Sequence, residues 1–238
     1  MRLRIVHLYP DLMNLYGDRG NILTLVKRAQ WRDIETEVID ITIGDQIDFS
    51  EVDIIFMGGG QDRGQKLIAD DLSLRKEGLK KAVESGLCGL LVCGGYQMFG
   101  RYFRTERGEE IPGIDIIDAY TVAGPNRLVG NILIKNEFLG NVVGFENHSG
   151  KTLLGPKARP LGKVVKGNGN NGEDGTEGAI YNNLFGTYLH GPILPKNPNL
   201  ADYILELALH KRDKDLVLKP LDDELETRAY EQTVKRIR

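Results

Sequence analysis

The chain has 238 residues, 41% of them hydrophobic, and a formal net charge of −3, so its length fits one large domain or two small ones. Lys and Arg are scattered, which leaves no electrostatic footprint for nucleic acid, and no run approaches the ~18 apolar residues of a membrane span. Two cysteines five positions apart make a poor disulfide framework, so we expect a cytoplasmic protein with reduced thiols.

The first hundred residues alternate between apolar runs typical of buried strands and segments with helical spacing of apolar residues. In chain order we predict strand 3–9, helix 20–32, strand 35–41, a strand within 52–60 that runs into three glycines, helix 73–86 and strand 88–93. This rhythm of βαβ units predicts an α/β fold with an open, mostly parallel twisted sheet and helices on both faces.

The second half of the chain has a different pattern. Residues 111–146 are β-rich and predict a small antiparallel extension or hairpin, and 197–212 predict a helix. The segment 166–178 reads as a polar loop that is too rich in glycine to pack. We predict one domain over 1–212, with a strand or two just before position 190, followed by a charged helix or tail over 213–238.

Cys93 stands where reactive groups gather in open α/β sheets, just past the carboxyl end of a strand. Gly94 and Gly95 follow it and would allow a sharp turn into a helix, whose N-terminus favours a thiolate. A free cysteine in a strand is also commonly a small buried hydrophobe. The pattern leaves both interpretations open for Cys93 and favours the buried one for Cys88.

A cysteine nucleophile needs a base, usually histidine, and the chain has four. His7 lies inside the first predicted strand and His210 late in a helix, where structural roles are the simpler interpretation. His148 and His190 both follow strands. The layout favours His190, which ends an apolar run just before Gly191. His148 remains the alternative.

Four short motifs occur in a fixed order: MGGGQD (57–62), VCGGYQMFG (92–100), GFENHSG (144–150) and GTYLHGP (186–192). Together they resemble the class I, triad-type glutamine amidotransferases, in the branch of the cobyric acid and cobyrinate synthase glutaminase domains. The resemblance covers about the first 210 residues and assigns 1–212 to that fold. YPDLMNLYGDRGN (9–21) and AGPNRLVGN (123–131) resemble glutaminase subunits that serve lipid II amidation in peptidoglycan synthesis.

The resemblance implies roles for individual residues. Cys93 is expected to attack the carboxamide of L-glutamine and His190 to carry the proton. An oxyanion hole is expected from the backbone N–H groups of the Gly58–Gly60 loop, Gly59 and Gly60 above all, and of Gly94. Substrate-binding roles are expected for Arg127, which suits an α-carboxylate, and for Gln97; His148 then falls back to a structural or site-shaping role.

One departure from the family concerns the acid that orients the histidine. Many class I glutaminases carry it two residues after the catalytic histidine, and here that position is Pro192. Either a dyad suffices or an acid comes from elsewhere. Our hypothesis is that a synthetase partner donates a carboxylate in trans, because an unoriented imidazole is a poor base.

A partner is expected from the same resemblance. It implies a heterodimer with a Mur-ligase-like synthetase that uses ATP and Mg²⁺ to amidate the D-glutamate α-carboxyl of lipid II, at the inner face of the membrane. This chain lacks a G-x-x-x-x-G-K-[ST] loop and a zinc pattern, so we expect it to carry no cofactor or metal. The alternatives are a glutaminase serving another acceptor, such as a cobyrinate-type carboxylate, and a non-catalytic binding protein on the same fold.

Overall fold

The computed structural model describes residues 2–15 and 17–237. Its strands are β1 (Arg2–Leu8), β2 (Glu35–Ile41), β3 (Ile54–Met57), β4 (Cys88–Val92), β5 (Tyr102–Arg104), β6 (Glu110–Pro112), β7 (Ala119–Asn136), β8 (Gly140–Leu154), β9 (Gly162–Lys166), β10 (Thr176–Glu177), β11 (Ala179–Tyr181) and β12 (Leu184–Thr187). Its helices are α1 (Arg19–Gln30), α2 (Asp62–Leu74), α3 (Lys76–Glu84), α4 (Gly94–Phe99), α5 (Pro198–His210) and α6 (Glu224–Ile237).

The main sheet has the strand order β11-β12-β4-β3-β1-β2. All neighbouring strands pair in parallel except β11, which runs antiparallel to β12 at one edge. Every residue of β3 and β4 is buried, as central strands covered on both faces require. The predicted mostly parallel sheet is therefore confirmed. Its geometry brings the carboxyl ends of β3, β4 and β12 to one edge.

The predicted antiparallel extension is also present, but it is larger than expected. It forms a second sheet in the order β10-β9-β7-β5-β6, with β8 paired to β7. β7 and β8 form a long antiparallel ribbon that is closed by the turn at 137–139. The second sheet is as wide as the first because the short strands β5, β6, β9 and β10 add to this ribbon.

One helix was missing from the sequence-based prediction. α2 begins directly after the three glycines of 58–60, and α3 occupies most of the predicted helix 73–86. The first turn of α2 is strongly polar, so its buried stripe (Ile68, Ala69 and Leu72) follows a start that reads as loop.

The prediction that 166–178 cannot pack was wrong. Asn170 is fully buried, and its side chain donates to Gly178 O (2.9 Å) and accepts from Gly178 N (3.0 Å). Asn171 is buried as well and donates to Thr152 O at 3.1 Å. The side-chain amides of these two residues order the loop, although its glycines have no side chains to pack. Their hydrogen bonds to buried backbone groups hold the loop in one conformation.

The C-terminal segment folds back onto the domain. Val234 and Ile237 of α6 pack against Leu133 and Val143 of the β7–β8 ribbon, forming a second small hydrophobic cluster. The segment before α6 is tied down by Arg28, whose guanidinium bonds Asp223 at 2.6 Å. Within the described ranges, none of the helices combines the length and apolar character that crossing a membrane requires.

Candidate active site

Cys93 occupies a strained turn between β4 and α4. Its backbone angles are φ 51° and ψ −105°, an unfavourable region for a residue that carries a Cβ. Gly95 permits this turn, because a Cβ built there would lie 2.5 Å from Met57 O. The turn holds the Cys93 side chain at the carboxyl edge of the sheet, with 8% of the residue exposed. This is the strand-to-helix arrangement of a nucleophile elbow.

His190 reaches the same edge from the neighbouring strand. β12 pairs in parallel with β4, and the Cys93 N–H donates to Thr187 O at 2.8 Å. The main chain of His190 is held in turn by Phe145 of β8, since the His190 N–H donates to Phe145 O at 2.7 Å. The structure thus brings together the two residues that the sequence singled out.

A buried carboxylate, Asp18, completes the cluster. A Cβ built on Gly59 would lie 3.4 Å from Cys93 Cβ, 3.4 Å from His190 Cε1 and 3.5 Å from Asp18 Oδ2, so the three side chains converge on this glycine. Asp18 Oδ2 accepts the Gly59 N–H at 2.8 Å, and Asp18 Oδ1 lies 3.9 Å from His190 Nδ1.

Sequence reasoning missed Asp18. It lies 172 positions before His190 and precedes α1, where an aspartate normally reads as a helix cap. Gly20, two residues after it, packs closely on Pro192: a Cβ at Gly20 would lie 2.3 Å from Pro192 Cγ. The proline at the position where the resemblance implied an acid therefore lies against the helix start that carries Asp18.

The electrostatics favour a charged imidazole. Burial lowers the pKa of His190, but the Asp18 carboxylate and the Cys93 sulfur outweigh burial and raise that pKa to about 10. At neutral pH His190 is therefore an imidazolium. An imidazolium next to a cysteine sulfur stabilises the thiolate, which is the nucleophilic form.

The glycine loop after β3 provides backbone donors, although not all those expected. The Gly59 N–H already donates to Asp18 Oδ2. It is therefore not available for the oxyanion-hole role that the resemblance implied for Gly59. The Gly60 nitrogen lies 2.9 Å from a Cβ built on Gly94, so the Gly60 and Gly94 backbones face each other next to Cys93. These two N–H groups are the candidates for an oxyanion hole.

Arg127 lines the cavity from an irregular part of the β7–β8 ribbon. Ala123 pairs with Gly150 and Leu128 with His148, so residues 124–127 form a bulge. Arg127 and Cys93 line one cavity of about 550 Å³. The exposed Arg127 guanidinium donates to Asn147 Oδ1 (2.7 and 3.0 Å) and to Asn147 O (3.0 Å).

Gln97 lines the same cavity and is buried within a polar network. Its Oε1 accepts from Gln65 Nε2 at 2.7 Å, and its Nε2 donates to the Tyr188 hydroxyl at 3.0 Å. Both ends of its amide are thus engaged by the protein. This arrangement suits a residue that shapes the cavity wall.

The remaining histidines and Cys88 lie outside the cluster. His148 lines the cavity, donates from Nδ1 to Gly150 O at 2.7 Å and stacks on Tyr188, while burial lowers its pKa to about 4. His7 lies 3.4 Å from Asp40, and His210 Nε2 bonds Leu216 O at 2.8 Å. Cys88 is fully buried, and burial raises its pKa to about 12.

Among residues 2–15 and 17–237, no three His, Cys, Asp or Glu side chains are grouped to hold a metal ion.

Comparisons with known proteins point in the same direction as this geometry. The family profile of the CobB/CobQ-like glutamine amidotransferase domain matches residues 4–198. The chain is 46% identical, over 98% of its length and 96% of the relative's, to the lipid II isoglutaminyl synthase (glutamine-hydrolyzing) subunit GatD of Staphylococcus aureus. It is 42% identical to the subunit of the same name from Streptococcus pneumoniae, over 97% of this chain and 90% of that one.

More distant relatives share the fold or only part of the length. The cobyric acid synthase of Clostridium kluyveri is 30% identical over 69% of this chain, which corresponds to 34% of that protein. A solved glutamine amidotransferase structure superimposes with a TM-score of 0.58 at 17% identity, covering 85% of this chain and 98% of that one. A glutamine amidotransferase from Thermotoga maritima gives 0.55 at 14% identity, covering 99% and 93%.

Proposed function

Because the chain belongs to the CobB/CobQ-like glutamine amidotransferase family, we propose that it hydrolyses L-glutamine to glutamate and ammonia through a Cys93 thioester, as the glutaminase subunit of a carbon-nitrogen ligase. The observation that carries the proposal is the convergence of Cys93, His190 and Asp18 around Gly59. These three side chains supply a nucleophile, a proton carrier and a carboxylate at one point of the sheet edge.

The reaction proceeds in two steps. The Cys93 thiolate attacks the amide carbon of glutamine, and the Gly60 and Gly94 N–H groups stabilise the oxyanion; each such donor is commonly worth ~3 kcal/mol. The His190 imidazolium then gives its proton to the leaving nitrogen, so ammonia departs and a γ-glutamyl thioester remains. Neutral His190 next takes a proton from water, which cleaves the thioester to glutamate and restores the thiolate–imidazolium pair.

Substrate orientation falls to the bulge of β7. Arg127 lines the same cavity as Cys93, and a guanidinium binds a carboxylate through two parallel hydrogen bonds. Asn147 holds the Arg127 fork in place through Oδ1 and the main-chain oxygen. Arg127 thus receives the glutamine α-carboxylate, and Gln97 forms the wall below it.

We further propose that the ammonia is delivered to a Mur-ligase-like, MurT-type synthetase subunit in a heterodimer. That partner would bind ATP and Mg²⁺ and activate the D-glutamate α-carboxyl of lipid II, giving D-isoglutamine for cell-wall synthesis. Two nearly full-length relatives named as subunits of lipid II isoglutaminyl synthase support this assignment. The lipid-linked substrate would place the reaction at the cytoplasmic face of the membrane.

The alternatives from the sequence are less well supported. The cobyric acid synthase relative matches at lower identity and is about three times longer than the part that aligns, so a cobyrinate-type acceptor is not favoured. A non-catalytic binding protein would not need the strained backbone of Cys93 or the buried carboxylate next to His190.

Ammonia release from L-glutamine tests the glutaminase, with Cys93→Ala as the catalytic control and Cys88→Ala as the matched control. We expect release from the wild type and from Cys88→Ala only; activity in Cys93→Ala would exclude the thioester. Co-purification from the native cell tests the partner. A Mur-ligase-like protein recovered at one-to-one stoichiometry is the expected result, and recovery of this chain alone would count against the heterodimer.

A further inference from the structure

The packed loop 166–178 ends in a buried acid, Glu177, to which the proposed reaction assigns no role. Glu177 is fully buried in β10. Its Oε1 accepts two hydrogen bonds of 2.7 Å, one from the Thr187 hydroxyl and one from the Tyr188 N–H. The carboxyl group therefore holds the chain at the point where β12 ends.

The end of β12 is connected to both reacting residues, Cys93 and His190. The Thr187 hydroxyl, which donates to Glu177, accepts from the Leu189 N–H at 3.0 Å. The Thr187 main-chain oxygen accepts the Cys93 N–H at 2.8 Å. A single carboxyl group thus fixes 187–189, the segment that leads into His190 and contacts the nucleophile.

The loop fixes Glu177 from the other side. Asn170 bonds both the N–H and the oxygen of Gly178, the residue after Glu177. Burial, with a smaller contribution from the nearby Glu146 carboxylate, raises the pKa of Glu177 to about 7, against the lowering effect of its donors. A carboxyl group is costly at such a buried position, whereas a hydrophobic side chain would pack there without that cost. Its presence therefore calls for a role that a hydrophobic residue cannot fill.

We propose that Glu177 is a positioning residue of the active site, which sets the reach of His190 to Cys93 by fixing segment 187–189 through Thr187 and Tyr188. The inference rests on the proposed glutaminase function. Because Oε1 accepts both bonds, the acceptor oxygen and not the negative charge is what the site requires. Glutamine at this position keeps such an oxygen, and leucine does not.

The test compares Glu177→Leu with Glu177→Gln. Misplacing a reacting group by about 1 Å can cost ~10²-fold, so we expect kcat to fall by about 10- to 100-fold in Glu177→Leu, with KM for L-glutamine within about threefold. Glu177→Gln should restore kcat to within about threefold of the wild type. Equal kcat in the wild type and Glu177→Leu would overturn the proposal, as would a loss that Gln fails to restore.

A second pair guards against a variant that does not fold. Thr187→Val removes the hydroxyl that Glu177 binds, and Thr187→Ser keeps it; we expect the first to lower kcat and the second to preserve it. Asp53→Asn, at a buried carboxyl that bonds Arg212, is the control for lost stability. If Thr187→Val and Asp53→Asn lower kcat equally at matched melting temperatures, the positioning role is excluded.

The rate at which iodoacetamide alkylates Cys93, read by mass spectrometry, separates this inference from the glutaminase itself. Alkylation needs the thiolate that an adjacent His190 imidazolium stabilises, and it needs no glutamine turnover. We expect slower alkylation in Glu177→Leu and Thr187→Val, with fully buried Cys88 unmodified. A wild type that alkylates rapidly without releasing ammonia would contradict the proposed function alone. Unchanged alkylation in both variants would contradict the role of Glu177.

Discussion

Asp18 Oδ1 lies 3.9 Å from His190 Nδ1, and the other oxygen of the same carboxylate accepts the Gly59 N–H. One acid therefore contacts both the His190 imidazole and the loop next to the proposed oxyanion site. The position two residues after the histidine, where the family resemblance led us to expect an acid, is Pro192. The carboxylate of this chain reaches the imidazole from the start of α1.

Asp18→Asn separates the charge of this residue from its shape. The amide oxygen can still accept the Gly59 N–H, but the imidazolium loses its counter-charge, so we expect kcat to fall by about 10²-fold or more. The assay is ammonia release from L-glutamine, with Asp71→Asn as a control at a carboxylate that bonds Tyr9 and Arg75 instead. Unchanged kcat in Asp18→Asn would remove Asp18 from the mechanism.

The contact between Asp18 and His190 should also set the pH dependence of kcat/KM. The raised pKa of His190, about 10, keeps the imidazole protonated across the neutral range, so it can protonate the leaving amide nitrogen, which departs as ammonia. We expect kcat/KM to decline on the alkaline side as pH approaches about 10. Removing the negative charge in Asp18→Asn destabilises the imidazolium, which lowers its pKa and moves this decline to lower pH. An alkaline limb at the same pH in both proteins would show that Asp18 does not act on His190.

The turn at Cys93 depends on a glycine that has no room for a side chain. A Cβ at Gly95 would lie 2.5 Å from the main-chain oxygen of Met57, so Gly95→Ala must displace the backbone of the turn. We expect a stability loss of about 1–3 kcal/mol and a larger loss of kcat than stability alone explains. Gly78→Ala in α3, where the new Cβ would meet only Phe49 at 3.4 Å, is the matched control and should be neutral or slightly stabilising. Full kcat in a folded Gly95→Ala protein would contradict the strained-turn account.

Arg127 tests the binding step. Arg127→Lys keeps the charge but loses the planar fork, so we expect KM for L-glutamine to rise by about tenfold, with kcat little changed. Arg63, which lines the same cavity, is the matched control for a second guanidinium at this site. A similar KM increase in Arg63→Lys would show that substrate binding does not depend on the Arg127 fork in particular.

The sequence revealed what lies at strand ends and missed what depends on packing between distant segments. The sequence placed Cys93 and His190 at the edge of the sheet because an apolar run followed by glycine marks a strand end there, and the family resemblance then singled them out. Asp18 reaches that edge through contacts between distant segments, such as those of Gly20 with Pro192 and of Asn21 with Leu194, which no local pattern encodes.

The loop 166–178 was misjudged for a related physical reason. Its glycines indicate flexibility when taken alone, but the side chains of Asn170 and Asn171 bond backbone groups of the loop and of β8. Long-range hydrogen bonding of this kind overrides composition. The helix α2 was missed because its polar first turn hides the apolar stripe that follows.

The acid that orients His190 can come from this chain or from a partner. The sequence suggested a carboxylate donated in trans, and the structure shows one from this chain next to His190. If Asp18 suffices, the isolated subunit and the complex with its synthetase should turn over L-glutamine at similar rates. If the partner supplies a further acid, the complex should be at least about tenfold faster, because an imidazole held in one orientation is the better proton carrier. Asp18→Asn decides between the two: a variant that is inactive alone but restored by the partner identifies an acid in trans, and one inactive in both states assigns the role to Asp18.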